Sequence, residues 1–175
     1  MKIAIVIGHT ERAKGAYSPH LKMSEWDFWN KVVDGLHNVK VFRHNPKLSG
    51  YTNRIKQTAA KLKSYDLVIE THFNAASPEA NGCETLYYFK SLKGRKYASL
   101  FSEIVSASTG IKLRNRGLKA LVNENDRGFA AVYYPAPPTI LIEPFFGSNA
   151  RDCQKIGDAC NMQNIILSFM AAIQK

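Results

Sequence analysis

Short apolar runs alternate with stripes of apolar residues at helical spacing along the whole chain. The runs are rich in Val, Ile, Leu, Tyr and Phe, which favour strands. The predicted strands lie at residues 2–7, 39–42, 66–71, 83–89, 118–122 and 139–143. Apolar residues three and four apart predict helices after Ser24 and over residues 52–63, 95–109 and 150–173. The alternation predicts one α/β domain over residues 1–175, with a twisted, mainly parallel sheet of about six strands and helices on both faces.

Polar residues and glycines mark the ends of the predicted helices. Ser24 and Asn149 are typical N-caps, and Gly110 is suited to a left-handed C-cap. Gly157 is expected to divide the last helical segment into two pieces. The segment 133–138 contains three prolines, which predict a loop.

Composition narrows the class of protein without selecting a function. A hydrophobic content of 45% is ordinary for a globular domain, while the net charge of +10 favours an anionic partner such as nucleic acid, a membrane surface or an acidic polymer. The three cysteines have no paired spacing, so all of them are expected to be buried and reduced. No apolar run approaches the ~20 residues that span a bilayer, and no signal peptide is recognisable.

Four residues of catalytic type lie where strands end or a helix begins. His9, His72 and Glu143 each end an apolar run, and Glu25 directly follows the predicted N-cap. In an open α/β sheet the carboxyl ends of strands collect along one edge, where sites are built. Two imidazoles and a carboxylate are typical ligands of a catalytic zinc and leave a fourth position open. Glu143 would then be free to move a proton between water and a leaving amine.

Each of these residues taken alone has a simpler explanation. A histidine after a strand is more often a hydrogen-bonded loop residue than a ligand, and Glu25 could be only a capping carboxylate. His20, His37 and His44 have no partner pattern and are expected to be solvated.

Local sequence around these positions gives a stronger signal. Six segments occur in order, namely Ile7-Gly8-His9, Ser24-Glu25, Glu70-Thr71-His72-Phe73-Asn74-Ala75, Gly82-Cys83-Glu84-Thr85-Leu86-Tyr87-Tyr88, Asn115-Arg116-Gly117-Leu118-Lys119 and Ile142-Glu143-Pro144-Phe145-Phe146-Gly147-Ser148-Asn149. Together they resemble the zinc-dependent N-acetylmuramoyl-L-alanine amidases of the Amidase_3 type over nearly the whole chain.

The resemblance implies a substrate and a role for each residue. The substrate would be peptidoglycan, and the bond would be the amide between the lactyl group of N-acetylmuramic acid and L-alanine of the stem peptide. His9, Glu25 and His72 fall on the ligand positions for one Zn²⁺ per chain, and Glu143 on the catalytic glutamate.

The chain departs from that pattern at two places. The first motif of the family usually begins Asp-x-Gly-His-Gly, whereas Thr10 follows His9 here, so the loop shape is expected to differ. The residue two before the second histidine is commonly Ser, whereas this chain has Glu70. Glu70 could orient a metal ligand from behind, or it could pair with Arg116 or Arg54.

Three further residues are candidates for contact with substrate. Asn74 could hydrogen-bond the ligand loop or the substrate, or could simply shape its turn. Arg116 and Lys119 could contact carboxylates of the stem peptide, or could be solvated basic side chains.

The expected biological role is that of a phage or prophage endolysin, made in the cytoplasm and acting on the cell wall after release. With no separate cell-wall-binding domain expected, the positive charge would hold the protein to anionic wall or lipid polymers. A bacterial amidase of wall recycling or sporulation is the alternative. A zinc carboxypeptidase acting on stem peptides also stays open. A nucleic-acid-binding module is not favoured, because no known motif occurs and the basic residues are spread along the chain.

Overall fold

A computed structural model describes residues 1–37 and 39–174. The described strands are, in chain order, β1 (Ile3–Ile7), β2 (Tyr17–Ser18), β3 (Met23–Ser24), β4 (Lys40–Arg43), β5 (Leu67–Thr71), β6 (Cys83–Tyr88), β7 (Leu113–Leu121) and β8 (Thr139–Glu143). Six of them form one sheet in the order β4-β1-β5-β8-β6-β7, and β2 pairs with β3 in a small separate ribbon. The predicted sheet of about six strands is confirmed.

The sheet is parallel over four strands and reverses direction once. β4, β1, β5 and β8 run parallel, β6 pairs antiparallel with β8, and β7 runs parallel to β6. The reversal places the beginning of β6 beside the end of β8, so Glu84 lies directly opposite Glu143. Residues of β6 therefore reach the same sheet edge as the ends of β1, β5 and β8.

The described helices are α1 (Glu25–Asp34), α2 (Tyr51–Ala59), α3 (Leu92–Thr109), α4 (Phe129–Tyr133), α5 (Ala150–Ile156) and α6 (Ala159–Ala172). Side-chain caps at Ser24 and Asn149 and a left-handed C-cap at Gly110 are confirmed. The break at Gly157 is confirmed as well, because it separates α5 from α6. The short helix α4 was not predicted, and Tyr133 ends it rather than beginning the expected loop.

Strand residues alternate between the two faces of the sheet. Ile3, Ile5 and Ile7 face a large core that α1, α3, α5 and α6 share. On the opposite face, Leu86 and Leu141 pack against α2 and α4. A strand turns successive side chains to opposite faces. Apolar residues at every position of β1, and at positions 140–142 of β8, therefore require helices on both sides.

Two expectations about the surface can be checked directly. Cys83 and Cys153 are buried, but Cys160 is exposed, so its predicted burial is wrong; it lies on the outer side of the first turn of α6. Within residues 1–37 and 39–174, no helix combines the length and apolar character needed to cross a membrane.

Candidate metal centre

The neighbouring strands β1 and β5 bring His9 and His72 together. Ile7 pairs with Thr71 in the ladder, and the Gly8 amide donates to the Thr71 carbonyl at 3.1 Å. On the other side, the His72 amide donates to the Ile142 carbonyl at 3.0 Å. Backbone hydrogen bonds therefore continue one residue past β1 and β5. They fix the backbone from which the side chains of His9 and His72 extend.

Glu25 completes a triangle of three donor atoms. Glu25 Oε2 lies 3.2 Å from His9 Nε2 and 3.2 Å from His72 Nδ1. The two ring nitrogens are themselves 3.2 Å apart. Among the described residues, these three form the group of side chains that could hold a metal ion.

The size of this triangle fits zinc. Two ligands of a tetrahedral zinc, each at about 2.0 Å from the metal, lie about 3.3 Å from one another. The observed separations of 3.2 Å are close to that value. Two neutral imidazoles and one carboxylate are also a donor set that catalytic zinc sites use.

Local structure holds the Glu25 carboxylate in place. Ser24 caps α1 by accepting from the Asp27 amide, so Glu25 is the first helical residue and lies at the positive end of the helix dipole. Its Oε1 accepts from the Ala16 amide at 2.9 Å, and its Oε2 accepts from the Phe73 amide at 3.2 Å. The carboxylate is therefore aimed by hydrogen bonds that do not depend on a metal.

Two glycines leave room for the histidine rings. A Cβ on Gly8 would lie 2.3 Å from His72 Cε1, and one on Gly15 would lie 2.6 Å from His9 Nε2. Gly15 also has a φ of +79°, which a side chain rarely adopts. His9 itself has a φ of 69°, an uncommon conformation for a residue with a side chain, and such residues cluster at functional sites.

Charges in the triangle are strongly coupled. Burial raises the pKa of Glu25, but its hydrogen bonds to His72 and His9 outweigh burial and hold this pKa well below its usual range. Burial lowers the pKa of His72, but hydrogen bonds to Glu25 and Glu70 prevail and raise it to about 10. Without a metal, the two carboxylates therefore favour an additional proton on the His72 ring. That positive charge lies where a metal dication would bind.

The fourth predicted residue, Glu143, lies in the same cleft. A pocket of about 280 Å³ is lined by His9, His72 and Glu143 on one side. Glu143 is partly buried, and burial raises its pKa, with the negative charges of Glu84 and Glu25 acting in the same direction. A carboxyl group whose pKa moves towards neutrality is better suited to accept and return a proton.

Asn74 and the basic residues of β7 lie outside this pocket. Asn74 Nδ2 donates to Glu84 Oε1 at 3.0 Å, and Arg114 Nε lies 3.7 Å from the same oxygen. Asn74 thus braces the carboxylate that faces Glu143. Arg116 and Lys119 are exposed on β7 and do not line the described cleft.

Glu70 and His44 form a buried group behind the triangle. Glu70 Oε1 lies 3.4 Å from His72 Nε2 and 3.8 Å from His44 Nε2, and His44 is 4% exposed. The expectation that His44 is solvated is wrong. His44 directly follows β4 and packs against α2, where its Nδ1 lies 2.9 Å from Thr58 Oγ1. His20 and His37 are exposed, as expected.

The opposite wall of the cleft was not predicted. It consists of Tyr51 and Thr52 at the start of α2, and of the segment 124–128 between β7 and α4. The sequence contains a signal for Tyr51, since it follows the loop at the end of β4 and strand ends collect at this sheet edge. Arg127 could not, because its segment lies across a face of the sheet rather than at a strand end.

A comparison with known protein families identifies a family for this chain. The model of a family described as N-acetylmuramoyl-L-alanine amidase, Amidase_3, matches residues 3–175. A curated relative, the uncharacterized protein YqiI of Bacillus subtilis (strain 168), is 31% identical over 99 residues. That match covers 56% of this chain and 45% of the relative's length.

Solved structures share the fold at low sequence identity. The catalytic domain of the CD27L endolysin targeting Clostridia difficile superposes with a TM-score of 0.74 at 23% identity, covering 98% of this chain and 97% of that chain. The CwlD amidase of Clostridioides difficile, solved in complex with the GerS lipoprotein, gives a TM-score of 0.73 at 18% identity, with coverages of 99% and 97%. At these identities the likeness establishes the α/β fold.

Proposed function

Because the chain belongs to the Amidase_3 family of N-acetylmuramoyl-L-alanine amidases, we propose that it is a zinc-dependent peptidoglycan hydrolase. The bond it cleaves is the amide between the lactyl group of N-acetylmuramic acid and L-alanine of the stem peptide. One observation carries this proposal: a zinc-sized triangle of donor atoms lies beside a cleft that two of its members, His9 and His72, line together with Glu143.

The donor triangle would hold one zinc per chain through His9 Nε2, Glu25 Oε2 and His72 Nδ1. A zinc ion bound there would polarise the scissile carbonyl and lower the pKa of water to about 7. The chain itself contributes the fixed orientation of the ligands, since Glu25 and the backbones of both histidine segments are hydrogen-bonded independently.

Glu143 moves the proton that the hydrolysis requires. It accepts a proton from the attacking water as the new C–O bond forms, and it returns that proton to the nitrogen of L-alanine as the C–N bond breaks. Its partial burial raises its pKa, which favours both halves of this transfer near neutral pH.

Donors on the opposite wall would orient the stem peptide. Tyr51 is 38% exposed, but desolvation at its hydroxyl, together with the charge of Glu70, raises its pKa, so the hydroxyl is protonated and can donate a hydrogen bond. Arg127 lines the same wall, and its guanidinium suits a carboxylate of the stem peptide. Arg116 and Lys119 would contact only parts of the substrate that extend beyond the cleft.

Mass spectrometry of digested peptidoglycan tests the reaction. Purified sacculi are incubated with the protein, with and without a chelator, and with the His72→Ala variant. An amidase releases whole stem peptides that begin with a free L-alanine amine, and both chelator and variant abolish this release. Release of single amino acids would instead indicate a carboxypeptidase, and activity that survives complete metal removal would exclude zinc dependence.

We further propose that the role is lysis of a host cell wall in the manner of a phage endolysin. The protein would be made in the cytoplasm, reach the wall once the membrane is breached, and bind anionic wall or lipid polymers through its basic surface. The support is the net charge of +10 and the fold shared with an endolysin catalytic domain. Among the described residues, ion pairs of Lys or Arg with carboxylates are limited to Lys14–Asp27 and Arg114–Glu84. A cellular amidase of wall recycling or sporulation is the alternative.

Production of the protein inside bacteria separates these roles. Cells that express it should stay intact until the membrane is permeabilised and should then lyse within minutes. A matched culture that expresses Glu143→Gln should not lyse. Lysis of both cultures at the same rate would contradict a lytic role for this enzyme.

A further inference from the structure

Glu70 is a buried carboxylate whose charged partners are both histidines. It lies on β5 two residues before His72 and is 3% exposed. Among the described residues, its ion pairs are with His72 and His44, and neither Arg54 nor Arg116 contacts it. Burying an ionised carboxylate is costly unless hydrogen bonds and opposite charges compensate it, so this arrangement needs a reason.

The contacts determine which ring nitrogen of His72 carries a proton. An ionised carboxylate only accepts hydrogen bonds, so Glu70 at 3.4 Å favours a proton on Nε2. Nδ1 faces the Glu25 carboxylate in the same way, but a metal bound at Nδ1 would displace the proton there. A neutral imidazole then has its lone pair on Nδ1, the atom that faces His9 and Glu25. Glu70 thus selects the form of His72 that presents a bare nitrogen to the triangle.

His44 supports Glu70 from the side away from the triangle. Its buried Nε2 has no hydrogen-bond partner among residues 1–37 and 39–174, and it lies 3.8 Å from Glu70 Oε1. Its Nδ1 lies 2.9 Å from the hydroxyl of Thr58. With the Thr58 hydroxyl donating to Nδ1, the His44 proton resides on Nε2 and faces the carboxylate.

We propose that Glu70 and His44 form a buried positioning pair that holds His72 as an Nδ1 ligand and strengthens zinc binding. This inference rests on the proposed zinc-dependent function and assigns it two residues that do not touch the metal or the substrate. Outer partners of this kind orient the ligand ring and raise its basicity.

Charge balance gives the pair a second effect. Glu25 and Glu70 together carry two negative charges, and His9 and His72 are neutral when they bind a metal. The buried group is therefore balanced by one dication. Replacing Glu70 with a neutral side chain would leave an excess positive charge in the loaded site, which weakens binding.

Zinc affinity measured by competition with a chromophoric chelator tests the pair. The dissociation constant should rise about 10–100-fold in Glu70→Ala, the range that loss of such outer partners produces. Glu70→Gln keeps the shape and should weaken zinc binding by a smaller factor, as should His44→Gln. Glu84→Gln is the matched control, since Glu84 is equally buried on the same face of the sheet and contacts no zinc ligand. Circular dichroism of the chelated proteins shows that each variant is folded.

Two further readouts distinguish positioning from general stability. In the zinc-loaded protein, ¹⁵N NMR of the His72 ring should show a protonated Nε2 and a metal-bound Nδ1, and the Nε2 proton should exchange faster with water in Glu70→Ala. In a double-mutant cycle, His44→Gln should have no additional effect on zinc affinity once Glu70 is Gln.

The possible outcomes separate the two proposals. Glu70 variants that bind zinc as tightly as wild type, or as tightly as Glu84→Gln, would overturn the positioning pair and leave the zinc enzyme intact. Additive effects in the cycle would remove His44 from the pair. Wild-type protein that binds no zinc would refute the metal centre itself, and the pair with it.

Discussion

The cleft has two walls, and their residues are held in different ways. On one wall, His9 and His72 follow strands β1 and β5, and Glu143 is the last residue of β8. Backbone hydrogen bonds fix the chain beside His72. On the other wall, residues 124–127 lie in a polar segment that Asp126 shapes by accepting from the Val122 and Asn123 amides. A metal centre tolerates little displacement, and the wall that carries it is the one built on the sheet. The segment opposite is positioned by hydrogen bonds within its own turn.

The largest effect is expected at the strand-end wall. Glu143→Gln preserves the shape of the side chain but cannot accept a proton, so turnover should fall at least ~10²-fold. Zinc content and KM should change little. Turnover and zinc are measured on one preparation, with Glu103→Gln, an exposed carboxylate of α3, as control. Near wild-type turnover would show that Glu143 is not the base. It would also show that the strand-end wall does not carry the proton transfer.

The loop wall should affect binding rather than turnover. A hydrogen bond to a charged group contributes about 1.5–3 kcal/mol, and Arg127 is exposed, so Arg127→Gln should raise KM about tenfold with kcat nearly unchanged. Soluble muropeptides with and without free stem-peptide carboxylates are the substrates. Arg95→Gln, an exposed arginine on α3, serves as control. An effect confined to kcat would contradict the division between the walls.

Salt should weaken the attraction between the basic surface around the cleft and anionic polymers, and it should affect neither wall of the cleft. Raising salt from about 0.1 M to about 1 M shortens the screening length from ~10 Å to ~3 Å. Activity on intact walls should therefore fall several-fold, while activity on a small soluble muropeptide should change much less. Equal salt sensitivity with both substrates would exclude recruitment by the basic surface.

A smaller effect concerns the stability of the metal-free protein. The pKa of His72 is raised from 6.5 to about 10 by Glu25 and Glu70 despite burial, so its ion pairs stabilise the fold fully below pH 6.5. That stabilisation is lost as pH rises from 6.5 towards 10, because the folded protein then releases the proton. The Tm of chelated protein should fall by a few degrees more than that of His72→Gln over this range. Identical Tm profiles would show that the charges of the triangle are not coupled.

The two walls also differ in how far they could be predicted. His9, His72 and Glu143 lie at one edge because parallel strands deliver their carboxyl ends there, a rule that needs only the order of apolar runs. Their roles, and that of Glu25 at the start of α1, stay predictions. The rule does not describe a strand that runs the other way. Glu84 reaches this edge from the beginning of β6, and its position opposite Glu143 depends on a reversal that no local pattern signals.

Burial of single polar residues was harder to predict than the sheet. The sequence leaves Glu70 either beside a metal ligand or paired with Arg116 or Arg54. It predicts a solvated His44, since nothing near His44 in sequence indicates a partner. Its partners Thr58 and Glu70 come from α2 and β5, and only the packing of the loop after β4 brings them together. The roles of Asn74, Arg116 and Lys119 in binding stay predictions.

The three corners of the donor triangle come from distant parts of the chain. His72 is 63 residues from His9 and 47 from Glu25. With the proposed zinc bound, the ion ties the first segment to the central strand much as a covalent cross-link would. The chain between the first two corners contains only a ribbon of two-residue strands, which is too short to persist alone. Withdrawing the metal would remove that tie, and the segment 10–24 would then be held to α1 by the hydrogen bonds that join Ala16 to Glu25 and Lys14 to Trp26.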